Sequence, residues 1–338
     1  MGTNGIIAET RSLSIGYRNR SRIYEVMNGL SLSARRGELV ALIGRNGTGK
    51  STLLRTLVGL QPPLAGSVVL DGNSLDEIGL SQLPRLVSFA STEPVALHNI
   101  RVSDVVSLGR FPYTNWIGTL AEEDKEAVSV ALEATGLSLL AERSIDGISD
   151  GERQRALIAR SLAQDTGLLV MDEPTAFLDL PSRYGIVSLL RKLTREKGKC
   201  VIYSTHDLDT AINEADRIWL MTGDGVSEGA PEDMMLTGLL ARAFESPLLT
   251  FSITDGAFSF VRSRQTGIAL EGKGKAAKLT ARALARCGYT TDPGAPMTVR
   301  VTESAGATEW IVTGCATDEK YTSLYDLVTH LPQIIKGV

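Results

Sequence analysis

The sequence predicts an α/β fold in which strands and helices alternate around a substantially parallel sheet. From residue 1 to about 250, short apolar runs such as 39–43 and 168–171 alternate with helical patterns. Such runs are typical of strands covered on both faces, and their alternation with helices is typical of parallel sheets. Beyond about Ser246 the pattern changes, and we expect a small C-terminal α+β domain there.

Composition and charge exclude several classes of protein. The 338 residues, 43% hydrophobic and 22% charged, suffice for two folded domains at ~150 residues each. A net charge of −4 offers no general field for nucleic acid, so we expect no nucleic-acid partner. The three cysteines and three histidines form no paired spacing or cluster. We also expect neither a secretory signal nor a membrane-spanning helix.

The secondary structure follows from apolar runs and from helix boundary signals. Strands are predicted at 39–43, 67–70, 168–171 and 200–204, and helices after Lys50 and at 121–134, 152–163 and 181–197. Each predicted strand ends in Gly, Asp or Thr-His, as buried strands do where they reach ligand-binding loops. The last helix has Pro181 in its first turn and Gly198 just past its end.

A glycine-rich loop carries the strongest chemical signal. Residues 44–52 read GRNGTGKST and fit the pattern G-x-x-x-x-G-K-[ST] between a predicted strand and a predicted helix. Glycines let successive N–H groups point at phosphate oxygens, and the helix N-terminus adds positive potential. The predicted phosphate-binding residues are Gly44, Arg45, Asn46, Gly47, Thr48, Gly49, Lys50, Ser51 and Thr52. Among them, Lys50 should reach the β- and γ-phosphates and Ser51 should bind Mg²⁺.

Two carboxylates end another apolar strand. In LLVMDEP, residues 168–174, Asp172 is placed to hold Mg²⁺ and Glu173 to orient or deprotonate the attacking water. Taken alone, the pattern fits equally an ordinary buried strand with an acidic end. Upstream, Ser149, Asp150 and Gly151 precede a helix whose N-terminus is either a second phosphate site or an ordinary capped helix.

The order of these motifs resembles that of the nucleotide-binding subunits of ATP-binding-cassette (ABC) transporters. The family's signature LSGGQ appears here as ISDGE at 148–152, between the phosphate loop and the acidic strand end at 171–174. The D-loop follows at 177–179 and the switch histidine at His206. The resemblance implies a P-loop NTPase ABC cassette over 6–250, with a helical subdomain at about 95–163, and an accessory domain over 251–338.

The same resemblance implies an ATPase that uses ATP and Mg²⁺ and works as a head-to-tail pair. Each ATP would lie between one chain's phosphate loop and the other chain's signature, Ser149, Asp150, Gly151 and Glu152. Glu173 would be the catalytic carboxylate, His206 would contact the γ-phosphate, and Asp179 would belong to the D-loop. Tyr17 would stack on adenine; without the resemblance, a core or edge tyrosine is the better interpretation.

The metal site departs from the family. ABC ATPases usually carry a glutamine about forty residues past the phosphate loop as a Mg²⁺ ligand, whereas RLVSFASTEPVAL has none. Thr92 and Glu93 are the nearest polar residues. We predict Glu93 as a metal ligand beside Ser51 and Asp172.

The stretch LGRFPY at 108–113 resembles the importer ATPases that serve iron-siderophore, haem and cobalamin permeases. It implies a peripheral subunit at the cytoplasmic face of the membrane, paired with a separate permease and supplied by an external substrate-binding protein. Phe111, Tyr113 and Trp116 would contact the permease or form core. The alternatives are a soluble cassette ATPase acting on DNA or ribosomes, and an exporter subunit. The first usually has two cassettes, a coiled-coil insertion or basic additions, which this sequence lacks.

Overall fold

The computed structural model of the chain describes residues 5–19, 22–91, 99–114, 118–176, 178–252, 256–261, 266–304, 307–314 and 318–336. They form two compact units. Unit 1 comprises Met1–Glu245 and Phe251–Phe258, and unit 2 comprises Ser246–Thr250 and Ser259–Val338. The chain therefore enters unit 2, returns to unit 1 for eight residues and leaves it again. The domain boundary predicted between residues 250 and 251 falls at this return.

Unit 1 contains eleven described strands and nine described α-helices. The strands are β1 (Ile6–Asn19), β2 (Arg22–Leu30), β3 (Ser33–Arg35), β4 (Leu39–Gly44), β5 (Ala65–Leu70), β6 (Asn73–Ser74), β7 (Val87–Ser91), β8 (Leu168–Asp172), β9 (Cys200–Ser204), β10 (Arg217–Thr222) and β11 (Gly225–Gly229). The helices are α1 (Lys50–Leu57), α2 (Leu83–Leu86), α3 (Val102–Ser107), α4 (Glu122–Ala134), α5 (Asp150–Ala163), α6 (Leu180–Lys197), α7 (Leu208–Glu214), α8 (Pro231–Leu236) and α9 (Leu239–Phe244).

The central sheet is parallel, as the sequence predicts. Its order is β11-β10-β4-β9-β8-β7, and all neighbours are parallel except β10 and β11. Every residue of β4, β8 and β9 is buried. Alternate residues face two different cores, since Val40 and Leu42 join one cluster and Ala41 and Ile43 the other. Because parallel strands end at the same sheet edge, β4, β8 and β9 deliver their C-terminal residues to one place.

The run 67–70 does not belong to this sheet, and the prediction that it ends at a ligand-binding edge is wrong. It lies in β5, which pairs antiparallel with β1 in the sheet β2-β1-β5-β6, to which β3 is added through β1. Asp71 and Gly72, both with positive φ (47° and 84°), connect β5 to β6. A two-residue Asp-Gly turn of this kind connects the two strands of a hairpin, so β6 runs antiparallel beside β5.

Helices α3, α4 and α5 pack around a hydrophobic cluster of their own, which includes Val102, Val105, Val128, Leu132 and Ala156. The LGRFPY stretch forms a 3-10 helix beside it, Leu108–Tyr113. Gly109 allows close approach to α5, because a Cβ there would lie 2.1 Å from the carbonyl oxygen of Arg160. Phe111 is 74% exposed.

Arg110 is the buried polar centre of this stretch. Its Nε lies 2.8 Å from Oδ1 of Asp124, and its Nη1 donates to the carbonyl of Ala163 at 2.8 Å. Its guanidinium lies 4.0 Å from the ring centroid of Tyr113, whose hydroxyl donates to the carbonyl of Gln164. Burial raises the pKa of Asp124, but hydrogen bonds, first from Arg110, outweigh it and hold this pKa below its usual value.

Replacing Arg110 by Met is expected to lower the free energy of unfolding by about 3 kcal/mol, because it leaves the buried Asp124 carboxylate unpaired. Chemical denaturation monitored by circular dichroism measures the change. The control is Arg101→Met, which breaks an exposed ion pair with Glu142 and should cost less than about 1 kcal/mol. Equal losses in both variants would contradict the structural role of Arg110.

Strands β12 (Leu249–Ser252) and β13 (Ala257–Phe260) come next in the chain, and each has residues that belong to both units. Unit 2 then contains β14 (Thr266–Glu271), α10 (Gly274–Arg286), β15 (Tyr289–Thr291), β16 (Thr298–Ser304), β17 (Ala307–Thr313), β18 (Glu319–Tyr321) and α11 (Leu324–Lys336). Its sheet has the order β15-β14-β16-β17-β18. The sequence predicts α10 from the helical pattern AAKLTARALARC and α11 from YTSLYDLVTHL, and it predicts the β16–β17 pair from MTVRVTES and ATEWIVTG. It misses β14, which pairs with both β15 and β16. No helix in the described part of either unit has the length and hydropathy required to cross a bilayer.

Candidate active site

The phosphate loop lies between a buried strand and a helix. Strand β4 ends at Gly44 and α1 begins at Lys50. Gly49, the residue before the helix, has φ 105°, and a Cβ there would lie 2.4 Å from Cγ1 of Val26. The backbone of the loop can therefore take this course only with glycine at that position.

Lys50 is buried beneath the loop. Its ammonium donates to the carbonyls of Gly44 at 2.9 Å and of Arg45 at 3.3 Å. Burial lowers the pKa of Lys50, and the charges of Glu173 and Asp172 oppose this shift. The cation is thus held where two negative groups face it.

The loop's other predicted residues lie around this lysine. Asn46 and Gly47 are exposed at the tip, and the hydroxyl of Thr48 donates to the carbonyl of Arg45 at 2.9 Å. Ser51 is exposed on the first turn of α1, whereas Thr52 is buried.

Tyr17 is positioned next to α1. Its hydroxyl lies 2.7 Å from Oγ1 of Thr52, and the side chain is half exposed. Strand β1 carries it, and the antiparallel partner opposite it on β2 is Tyr24. The contact with Thr52 brings an accessible aromatic ring to the start of the helix that follows the phosphate loop.

Asp172 and Glu173 are held in place by the neighbouring strand. Glu173 has φ 52° and its N–H donates to Oγ of Ser204 at 2.8 Å. The Ser204 hydroxyl in turn donates to Oδ1 of Asp172 at 2.6 Å. The sequence reasoning did not single out Ser204; its position directly before Thr205-His206, at the end of a predicted strand, is the signal that could have found it.

The structure brings Glu173 and His206 together. Nε2 of His206 lies 2.6 Å from Oε1 of Glu173. Both line a cavity of about 590 Å³, together with Arg183 and Asp207. Residues 256–258 also line it, although they belong to the range predicted as accessory domain.

Asp207 stabilises the turn that carries His206. It caps the N-terminus of α7, accepting hydrogen bonds from the N–H and hydroxyl of Thr210, and its Oδ2 lies 3.0 Å from Nη1 of Arg183. Burial raises the pKa of Asp207, but these hydrogen bonds outweigh it and keep this pKa below its usual value.

The signature residues form an N-terminal cap on α5. Oε2 of Glu152 accepts from the N–H and the hydroxyl of Ser149, both at 2.8 Å, and the N–H of Glu152 donates to Oγ of Ser149. The N–H of Ser149 is the first cause of a lowered pKa at Glu152. Asp150 pairs with Arg153, and Gly151 lies in the first turn. A phosphate approaching this helix end would meet the hydroxyl of Ser149 beside a carboxylate.

Asp179 caps α6. Its Oδ1 accepts from the N–H of Ser182 at 3.1 Å, and hydrogen bonding from Ser182 lowers its pKa. Four residues named from the sequence lie outside the described part of the chain, namely Thr92, Glu93, Trp116 and Phe177.

The donor set fits Mg²⁺ bound together with a nucleotide. Mg²⁺ prefers oxygen ligands and usually takes one or two carboxylates plus substrate phosphates and water. Ser51 and Asp172 offer a hydroxyl and a carboxylate. The described residues contain no group of three or more His, Cys, Asp or Glu that could hold a metal. A hydroxyl and a carboxylate would leave the other positions around Mg²⁺ to phosphate oxygens and water.

Comparison with known proteins identifies the family of the chain. Residues 27–176 match the family described as ABC transporter, and residues 264–332 match the iron ABC transporter C-terminal domain. The achromobactin transport ATP-binding protein CbrD of Dickeya dadantii (strain 3937) is 38% identical over 236 residues, 70% of this chain and 86% of CbrD. Two further relatives are the iron(3+)-hydroxamate import ATP-binding protein FhuC of Bacillus subtilis (strain 168), with 36% identity over 70% and 87% of the two chains, and the ferric enterobactin transport ATP-binding protein FepC of Escherichia coli (strain K12), with 37% identity over 69% and 84%.

Solved structures share the fold of about two thirds of this chain or more. The cbiO1 protein from Clostridium perfringens, part of the transporter complex cbiONQ, has a TM-score of 0.61 and 28% identity over 71% of this chain and 94% of its own. The dimeric cassette MJ0796 bound to ADP and Pi has a TM-score of 0.59 and 26% identity over 67% and 99%. The predicted ABC cassette is thereby confirmed. The chain belongs to the ATP-binding subunits of ABC transporters, ATPases that drive transport through a separate permease.

Proposed function

We propose that the chain powers an importer for iron-siderophore, haem or cobalamin-type substrates. It works as a head-to-tail pair at the cytoplasmic face of the membrane, beneath a separate permease that an external substrate-binding protein supplies. Iron chelates are the most strongly supported of these substrates. Two of the relatives carry an iron chelate in their names, and unit 2 matches a domain named for iron transporters.

The observation that carries the enzymatic part is the pairing of Glu173 with His206 at 2.6 Å, next to the Asp172–Ser204 hydrogen bond. In the proposed reaction, a Glu173 carboxylate oxygen accepts a proton from water while the water oxygen bonds to the γ-phosphorus. The bond between that phosphorus and the β–γ bridging oxygen breaks, and ADP leaves. His206 donates a hydrogen bond to the γ-phosphate, and Lys50 neutralises charge on the β- and γ-phosphates. Ser51 and Asp172 would hold Mg²⁺, whose charge stabilises the phosphate oxygens during transfer.

Adenine recognition and pairing complete the proposal. Tyr17 stacks on the base, an interaction worth about 1 to 3 kcal/mol per base. Each ATP molecule of the pair contacts Ser149 to Glu152 of the opposite chain, and Asp179 belongs to the D-loop. Glu93 supplies a further metal ligand in place of the family's glutamine.

Reconstitution tests the function. The chain is co-expressed with candidate multi-span permeases, purified with the one that binds it, and placed in liposomes with the cognate binding protein. Binding protein loaded with a ferric siderophore should raise ATP hydrolysis at least about threefold over empty binding protein, whereas the Lys50→Ala chain in the same complex should show no such rise. Purification with ribosomes or DNA, and with no membrane protein, would contradict the proposal.

A further inference from the structure

The side chain of Arg45 joins the phosphate loop to a distant helix end in unit 1. Its Nε donates to the carbonyl of Ala243 at 3.0 Å and its Nη2 to the carbonyl of Glu245 at 3.3 Å. Helix α9 ends at Phe244, and its last carbonyls have no partner within the helix. These carbonyls carry the negative end of the helix dipole. A guanidinium suits them because it is positively charged and holds several N–H donors in a fixed planar arrangement. Arg45 therefore caps α9 from 198 and 200 residues away.

The main chain of Arg45 also organises the loop. Its carbonyl accepts hydrogen bonds from the N–H and the hydroxyl of Thr48, at 3.4 and 2.9 Å, and from the ammonium of Lys50 at 3.3 Å. The residue that holds α9 is thus the same residue that holds the phosphate-binding lysine. Fixing its side chain restricts the orientation of its peptide group and of the contacts that depend on it.

The far end of this connection is anchored in the core of unit 1. Phe244 packs edge-on against Phe258 with ring centroids 5.9 Å apart, and Phe251 lies 4.7 Å from the same ring. The N–H of Phe251 donates to Oε1 of Glu245 at 3.1 Å. Glu245 and Phe251, which flank the segment Ser246–Thr250, are therefore both held within unit 1. Arg45 contacts the first of these two residues, Glu245.

We propose that Arg45 is a positioning residue that couples the phosphate loop to the end of α9, residues 243–245, within unit 1. A loop held in its binding geometry loses less freedom when a nucleotide binds, so the contact raises ATP affinity. Linkage is reciprocal, so ATP must in turn stabilise residues 243–245. The inference rests on the proposed function only in taking ATP as the ligand of the loop.

Nucleotide affinity is the first test, with the full chain and a fluorescent, non-hydrolysable ATP analogue. Arg45→Met should raise the dissociation constant about tenfold, the effect of losing hydrogen bonds from a charged donor. Arg45→Lys should recover only part of the lost affinity, because an ammonium keeps the positive charge but not the planar arrangement of N–H donors. The matched control is Arg242→Met, which removes an exposed arginine of α9 that lines a second cavity together with Arg45, and it should change the constant less than about twofold.

Hydrogen exchange is the second test, and it measures what a merely structural role would not alter. A saturating amount of the analogue should slow amide exchange at 243–245 at least about threefold in the parent, and this slowing should be lost in Arg45→Met when the analogue is equally saturating. Exchange rates at 243–245 that are the same with and without nucleotide in the parent would overturn the coupling. Full recovery of affinity in Arg45→Lys would also overturn it, because charge alone would then explain the effect.

The outcomes separate this inference from the proposed function. A parent chain that does not bind the analogue, or a Lys50→Ala variant that binds it as tightly as the parent, would contradict the assignment of the nucleotide site. If the parent binds, Lys50→Ala does not, and Arg45→Met binds within about twofold of the parent, only the role of Arg45 is wrong.

Discussion

Replacing Glu173 by Gln is expected to lower kcat for ATP hydrolysis by at least about 100-fold while ATP affinity changes little. General-base catalysis contributes about 10² to 10⁴-fold, and an amide of the same shape does not accept the proton from water. The backbone at this position should stay in place, because the N–H of residue 173 remains bonded to Ser204. With hydrolysis blocked, ATP should trap the chains as a dimer.

Steady-state hydrolysis, nucleotide binding and gel filtration in the presence of ATP provide the measurements. The matched control is Asp209→Asn, which changes a carboxylate that lines the same cavity and accepts a hydrogen bond from Tyr184 at 3.1 Å. Its kcat should remain within about twofold of the parent. Turnover by Glu173→Gln at the parental rate would show that another group activates the water.

The central sheet was predictable because its strands are buried on both faces and therefore read as uninterrupted apolar runs. Helices were predictable from their apolar periodicity and boundary residues. Helices α4, α5 and α6 begin and end within two residues of the predicted limits. The run in β5 misled the prediction, since apolar content does not show whether a strand's partner runs parallel or antiparallel. Only the Asp71-Gly72 turn carries that information.

Strand β14 shows the limit for unit 2. Its six residues, TGIALE, contain a glycine, and their pattern is too short to separate a strand from a loop. What makes them a strand is pairing with β15 and β16, which lie later in the chain. Tertiary contacts of this kind leave no local signal.

In the candidate site, too, residues within local motifs were predictable and their distant partners were not. Lys50 could be named from the spacing of its loop and Glu173 from its place at a strand end, whereas His206 was named through the resemblance to ABC ATPases. The partners that hold them could not, because Ser204 is 31 residues from Glu173 and Arg45 contacts carbonyls about 200 residues away. The bond between Ser149 and Glu152 is local, and the spacing S-x-x-E of a capping box would have predicted it.

Head-to-tail pairing gives the second large expected effect, through variants that damage opposite halves of the composite site. Ser149→Arg places a bulky cation at the exposed start of α5, where the proposed partner's γ-phosphate must dock, and leaves the phosphate loop intact. Lys50→Ala removes the buried ammonium and leaves the signature intact. In a Glu173→Gln background, each variant alone should fail to dimerise with ATP, since every site would contain one damaged half.

Mixing the two variants should restore dimers. One site then combines the intact loop of the Ser149→Arg chain with the intact signature of the Lys50→Ala chain, and the other site carries both defects. Gel filtration of chains with different fluorescent labels should show ATP-dependent mixed dimers. Ser138→Arg, which adds the same cation at another exposed serine of the helical region, should dimerise like its parent and controls for charge. If each chain completed its own site, mixing would restore nothing, because neither variant carries both an intact loop and an intact signature.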